Sequence, residues 1–473
     1  MKLSNSYIGL PEEFYQQINP TPVENPSLLQ FNDELAELLK ISLEEQEKLD
    51  IFSGNKIPSD SIPIALNYSG HQFGNFVHEL GDGRAVLLGE INNQNGNYDI
   101  QLKGSGLTKF SRQGDGRSAL GPVIREYIVS EAMHYLDVPT SRALAAVATG
   151  EYVARDNFEP GGILTRVAKS HLRVGTFEYF ASRQQWQDVK LLADFAIQRH
   201  YPEIRETNNH YLELLKKVAE NQSILISKWM GVGLVHGVMN TDNFSISGET
   251  IDYGPCAFMD FYDPETVFSS IDHNGRYAYF NQPGIAKWNL LRFAETLLPL
   301  IDENKDKAAE IAQDTINNFG NFYNESWFEM MKKKIGLFGE EKNDEILIND
   351  LLSWMHSNKA DFTNTFYYLT KQDFFNEKIY QDKKFLEWKK RWEDRMKRNN
   401  KPKESSFEIM KKNNPVIIPR NYKVEEALEL ASKNSDLSSI YNLLKILKNP
   451  YLDQKGIADY QTPPKANIYK YQT

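Results

Sequence analysis

Residues 233–260, GLVHGVMNTDNFSISGETIDYGPCAFMD, limit what this chain can fold into more than any other stretch. An apolar start reads as a short strand. A polar loop opens at His236-Gly237 and closes at Asp242-Asn243, a second short strand follows, and another polar loop begins at Asp252, nine residues after Asn243. Two adjacent loops held this way bring an amide oxygen and a carboxylate to one place. These are hard donors of the kind Mg²⁺ takes while it keeps part of its shell for water and phosphate. Two unrelated polar loops around one buried strand would leave the same pattern.

The arrangement parallels the metal site of protein kinases, where a catalytic-loop Asn and the Asp of Asp-Phe-Gly bind magnesium; here the tripeptide is Asp252-Tyr253-Gly254. The parallel breaks at the base. The kinase catalytic Asp stands five residues before the Asn, and that position is Val238, which can neither accept a proton nor orient a hydroxyl. Asp242 is the only nearby carboxylate that could replace it, and His236 reads as a hydrogen-bonded scaffold residue.

Upstream segments supply phosphate-binding chemistry. Residues 76–80 and 85–91 read as strands joined by the tight hairpin Gly81-Asp82-Gly83-Arg84. Its glycines would let backbone approach a phosphate and Arg84 adds a permanent charge, although an ordinary hairpin with a solvated arginine fits the same residues. Residues 98–103 form a third strand in which Ile100 and Leu102 alternate with Asp99, Gln101 and Lys103, so Lys103 faces away from the apolar side. A long glycine-rich loop with Arg112, Asp115, Gly116 and Arg117 follows. Pro122 opens a helix that carries Glu126. A strand lysine and a helix glutamate can form the ion pair that holds a lysine against nucleotide phosphates; two unrelated surface charges are the plainer alternative. Residues 141–152 and 162–168 read as strands. Arg166 and Arg173, seven apart with Lys169 and His171 between them, make the most basic pocket candidate, because the guanidinium fork suits phosphate; a solvated basic loop is the other reading.

Length and composition restrict the function classes. A chain of 473 residues has room for two or three domains, and 41% hydrophobic with 25% charged residues is ordinary for a globular protein. A net charge of −10 argues against nucleic acid as a partner. The single cysteine, Cys256, excludes an intrachain disulfide and reads as a buried, inert thiol. The N-terminus has no secretory pattern and no run of eighteen apolar residues occurs, so a soluble cytoplasmic protein with no membrane span is expected.

The remaining chain reads mainly as helix. Residues 32–48, 185–200, 210–230 and 425–447 carry helical periodicity, as do several segments after residue 285. Residues 389–399 read as a solvated charged helix face, residues 401–420 with Pro402, Pro415 and Pro419 as a linker, and the chain from Tyr460 as an extended, mobile tail.

The motifs YSGHQFG, LGDGRA, QLKGSG, FSRQGDGRSALGP, REYIVSEAMHYL, LTRVAKSHLRVGTFEYF, HGVMNTDN and DYGPCAFMD, in this order over residues 68–260, resemble the selenoprotein O family of kinase-like proteins. The resemblance implies an α+β, protein-kinase-like bilobal fold: an N-terminal extension (1–65), a β-rich N-lobe (66–170), a helical C-lobe with the catalytic and metal-binding loops (171–284), and a helical C-terminal region (285–473). It implies a pseudokinase that is an enzyme. Such a protein binds ATP flipped relative to ordinary kinases and transfers AMP to Ser, Thr or Tyr hydroxyls of proteins, with release of pyrophosphate. Residue by residue, Gly81, Gly83 and Arg84 would contact the nucleotide, Lys103 would hold phosphates and pair with Glu126, and Asp115 and Gly116 would line the pocket. Arg166 and Arg173 would neutralise phosphates, Asn243 and Asp252 would bind Mg²⁺ (or Mn²⁺), with Asp252 also at the ATP site, and Asp242 would accept the proton. Many family members end in a tail with cysteine or selenocysteine; this sequence ends Gln472-Thr473, so redox control through such a pair is not expected. The competing readings are a conventional kinase, for which Val238 is a poor fit, a non-catalytic ATP-binding scaffold, and a glutamylating pseudokinase.

Overall fold

Alternation in the strand Gly96–Lys103 builds the centre of the sheet. Ile100 and Leu102 are fully buried on one face, in a cluster with Leu35, Leu39, Phe52 and Ile163. The structure, a computed structural model, describes residues 1–373 and 377–465. Among the described residues this sheet has eight antiparallel strands. The order is Tyr15–Gln17, Ile64–Leu66, Ala85–Asn93, Gly96–Lys103, Phe158–Ala168, Arg142–Ala154, Ser27–Phe31, with the short Ser118–Ala119 beside Phe158–Ala168. The helix Leu120–Tyr135 lies against it, with Val123 and Tyr127 on Ala143, Ala146 and Leu164.

The rest is largely helical, so the class is α+β: a sheet-rich region followed by a helical C-terminal part. The helix His210–Val232 begins where Asn209 accepts the Leu212 N–H at 3.1 Å and ends at Gly233, whose φ of 75° turns the chain into the strand Leu234–Val235. That strand pairs with Ala257–Phe258, so residues 236–256 form one excursion pinned at both ends. Phe177, Leu215, Leu290 and Phe293 belong to the large buried cluster beneath it. Among the described residues no helix is long and apolar enough to cross a membrane.

Several expectations need correction. Residues 76–80 and 85–91 are not partners. Asn75–Val77 pairs with Gly70–Gln72 in a separate ribbon, and Ala85–Asn93 pairs with the lysine strand. The turn at 81–84 is instead held by tertiary bonds, from Gly81 N–H to the Tyr68 carbonyl at 3.1 Å and from Leu66 N–H to the Asp82 carboxylate at 3.1 Å. The helix expected over 32–48 is two, Asp33–Leu39 and Glu45–Phe52, because Lys40 enters the left-handed region at φ 58° and ends the first. Ser435, φ 53°, likewise splits 425–447 into Asn421–Asn434 and Ser438–Leu447. The supposed linker holds the helix Lys403–Asn413, and its last residue, Arg420, is buried against Asp260 and Asp361. On 389–399, Trp392 and Arg395 are buried, with Arg395 Nε 2.6 Å from Asp344, so only part of that face is solvated. The chain at Tyr460 is helical, Ala458–Gln461, and residues 466–473 of the expected tail lie outside the described residues.

Candidate functional site

A cavity of about 750 Å³ opens where the ends of the sheet meet the excursion 236–256. Its deep wall is built from four separate segments. Lys103, the last residue of its strand, places Nζ 2.7 Å from Glu126 Oε2 and 3.3 Å from Asp252 Oδ1. Arg166, buried on the neighbouring strand, donates to both Glu126 and Asp252. Arg173 donates through Nη1 to Asp252 Oδ2 at 2.9 Å and to the Asp242 carbonyl at 2.7 Å, and lies 4.5 Å above the Tyr68 ring. The polar residues of the lysine strand therefore face an internal charge network. Gln101 donates to Asp82 at 3.1 Å, and Asp99 pairs with Arg199 and, at 3.0 Å, with His171.

Burial by itself disfavours every charge here, and the partners decide the outcome. Asp252 would be raised by desolvation, yet Arg166, Arg173 and Lys103 hold its carboxyl well below the usual range. Glu126 follows the same logic: burial pushes up, Arg166 and Lys103 pull further down. Burial and the adjacent Arg166 lower Lys103. Asp252 also sits in the left-handed region at φ 63°, an uncommon backbone state for a residue with a side chain and one that concentrates at functional sites.

Asp242 behaves oppositely. It lies in the single turn Thr241–Asn243, and its carboxyl is pushed up to about 7, chiefly by burial, with Arg173 opposing. Its Oδ1 is buried without a hydrogen-bond partner, and the Gln72 amide stands 3.5 Å from Oδ2. Gly70 makes this possible, because a Cβ there would lie 2.5 Å from Asp242 Oδ1. A buried carboxylate with a free oxygen beside fixed cations is suited to taking a proton from a nucleophile. Asn243 donates its amide N–H to the Val238 carbonyl at 3.0 Å, which leaves its side-chain oxygen available. Among the described residues no three His, Cys, Asp or Glu side chains come together as a cage. The donors here are one amide oxygen, of Asn243, and one carboxylate, of Asp252, a set that suits a hard cation completed by phosphates and water.

The mouth is arranged differently. Gly81, Gly83 and Arg84 line it. The glycines serve packing: a Cβ on Gly81 would fall 2.3 Å from the Phe110 ring, and one on Gly83 would fall 2.8 Å from the Phe110 carbonyl. They seat the 104–117 loop against the 81–84 turn. Asp115 accepts from Arg155 at 2.8 and 3.2 Å and from Arg117 N–H at 2.9 Å. Gly116, φ 68°, has no room for a Cβ against Gly106. Sequence reasoning did not assign Tyr68, Gln72, Asp82, Arg112 or Arg155, all of which line the cavity. Arg112 was visible as a cation in a glycine-rich loop, whereas Arg155 left no signal. His236 bridges the two loops, its Nε2 2.9 Å from the Ile251 carbonyl, and Cys256 is buried with its thiol pushed up to about 12 by that burial; both fit scaffold and inert roles.

Residues 1–448 match the family described as Protein adenylyltransferase SelO. Curated relatives called Protein nucleotidyltransferase YdiU are similar over nearly the whole chain. The one from Nitrosococcus oceani is 52% identical over 464 residues, covering 97% of this chain and 94% of the relative. Those from Bacillus mycoides and a Bacillus cereus strain are 52% and 53% identical over 475 residues, covering 100% of this chain and 97% of each relative.

Proposed function

Because this chain belongs to the SelO family of protein adenylyltransferases, we propose that it transfers AMP from ATP to hydroxyl side chains of protein acceptors. The observation that carries the reading is the pairing of a deep cationic wall with a displaced base. Val238 occupies the position where a kinase keeps its catalytic Asp, while Asp242, adjacent to Asn243, keeps a free buried oxygen.

In this reading the fold is a kinase-like bilobal one and the protein is a pseudokinase by its loop. ATP lies flipped, with its β- and γ-phosphates on Lys103, Arg166 and Arg173. Glu126 positions Lys103; Arg84, Gly81 and Gly83 bound the nucleotide at the mouth with Asp115 and Gly116. Asn243 and Asp252 would hold Mg²⁺, with Mn²⁺ as an alternative. When bound, the cation supplies charge neutralisation for the phosphates. The acceptor oxygen attacks the α-phosphorus and its proton passes to Asp242 Oδ1. The bond from the α-phosphorus to the bridging oxygen breaks, and the electron pair leaves on pyrophosphate. In this reading the guanidinium groups would meet that charge as it develops, which is the largest catalytic contribution in most such sites. The single buried thiol suits a reducing compartment such as the cytoplasm.

The test uses ATP labelled at the α- or the γ-phosphate, the full chain, Mg²⁺ and a protein acceptor. Label from the α-position alone is expected in the acceptor. Label from the γ-position alone would make the chain a kinase and overturn the reading, and ATP binding with neither label transferred would favour a scaffold.

A further inference from the structure

The segment after the Asp252 turn carries a cation that the chemistry above does not use. Buried and half-buried arginines elsewhere in the described residues have carboxylate partners, among them half-buried Arg142 with Glu131 and Arg199 with Glu90 and Asp99, and buried Arg395 with Asp344 and Arg420 with Asp260 and Asp361. Half-buried Arg276 differs. Its Nε and Nη2 are shielded from solvent without a hydrogen-bond partner, its guanidinium interacts with the hydroxyl and ring of Tyr277, and among the described residues no ion pair joins it to a carboxylate. The nearest acid in sequence, Asp272, spends its oxygens on the backbone N–H groups of Arg276 and Tyr277, at 2.9 and 2.8 Å. A guanidinium with shielded N–H groups and no carboxylate partner gains from an added acceptor.

Its surroundings form a docking rim. Arg276 stands 4.9 Å from the Trp288 ring centre, Arg292 stands 5.1 Å from the same ring, and His71 meets its edge at 5.1 Å. Phe280 and Ile271, 53% and 65% exposed, flank Arg276 in the same loop. Aromatic and arginine side chains around a partly buried anchor are the usual composition of a protein-binding hot spot. The rim is also tied to the catalytic turn. Tyr277 donates its hydroxyl to Asn240 at 2.6 Å, and Phe73 N–H reaches the same oxygen at 3.1 Å. Gly74 sits under the guanidinium, where a Cβ would lie 3.3 Å from its central carbon.

We propose that Arg276, with Trp288 and Arg292, is the docking surface for the protein acceptor, and that Arg276 takes an acidic side chain close to the hydroxyl to be modified. Charge complementarity selects that occupant: in a chain of net charge −10, a guanidinium with no carboxylate partner among the described residues, beside the turn that holds Asp242, favours an acidic segment and repels a basic one. The inference rests on the acceptor being a protein. It concerns binding, so it is separable from the transfer chemistry.

The experiment measures fluorescence anisotropy of two labelled peptides, each with one Tyr, flanked by glutamates in one and by lysines in the other. They are titrated with the full chain and with Arg276→Glu, Arg276→Gln and Arg276→Lys; ATP affinity and unfolding midpoint are recorded on the same preparations. The acidic peptide is expected to bind at least tenfold more tightly than the basic one. R276E should abolish that preference, R276Q reduce it, and R276K retain most of it, with ATP affinity unchanged. Equal or absent binding of the two peptides to the unsubstituted chain, or an unchanged preference in R276E, would overturn the proposal. Peptide binding without α-label transfer would count against the transferase reading alone.

Discussion

The turn at 240–243 and the turn at 251–254 each present one aspartate to the same cavity, and the two are held in opposite states. Asp252 is gripped by Arg166, Arg173 and Lys103 and kept ionised far below its usual range. Asp242 is the more buried of the two, yet its Oδ1 has no partner and burial pushes its carboxyl up to about 7. Arg173 touches both turns, but it gives one donor to the Asp242 backbone carbonyl and the same nitrogen to the Asp252 carboxylate. One cation therefore bonds one carboxylate directly and acts on the other only across space, where burial outweighs it. In the proposed mechanism this contrast becomes a division of labour: a permanent charge for phosphates and metal, and a carboxylate free to receive a proton.

The comparison breaks most sharply at Asp252. Replacing Asp252 by Ala should lower AMP transfer by about 10³-fold and destabilise the fold by about 3–5 kcal/mol, because three cations lose their common counter-charge; Asn243→Ala should match the loss of transfer without the loss of stability. Single-turnover transfer of α-label together with urea unfolding checks both, and turnover within tenfold of the unsubstituted chain would defeat the assignment. Asp242→Ala should cost less, about 10²-fold in transfer, and should leave ATP affinity intact, as equilibrium binding of ATP would show.

Glu249, a third buried acid of the same excursion, sharpens the contrast with no effect on turnover. It is pushed up to about 7, chiefly by burial with Lys169 opposing, and it accepts the Lys169 N–H at 2.9 Å. An acid whose folded value exceeds its unfolded value of about 4.5 favours folding fully below 4.5 and loses that contribution as pH rises through about 7. Relative to Glu249→Gln, the unsubstituted chain should lose about 3 kcal/mol between pH 4.5 and 8. Unfolding midpoints across that range read it out, and parallel curves would remove Glu249 from the account.

Some of this was legible in particular residues. The parity of 98–103 placed Lys103 opposite Ile100 and Leu102, and the ion pair with Glu126 is present at 2.7 Å. The strands at 142–154 and 158–168 and the helices at 186–200 and 210–232 match their periodicity to within a few residues. The 81–84 turn was misread because a Gly-Asp-Gly-Arg string looks like a hairpin tip whatever holds it. Here Tyr68, Leu66 and Phe110 hold it, and none of them is a near neighbour in sequence. The 401–420 segment was misread because its prolines flank a helix that ends before Arg420 reaches its two aspartates.

Sequence by itself determined the central strands and several long helices, the donor types and the valine at 238, since each depends on local periodicity or on residue identity at a short spacing. Only the tertiary structure decided which carboxylate is paired and which is left free. Charge state in a buried site depends on partners contributed by the strand of Lys103, the strand of Arg166 and the chain at Arg173, and their convergence on Asp252 is set by packing that no spacing along the chain encodes.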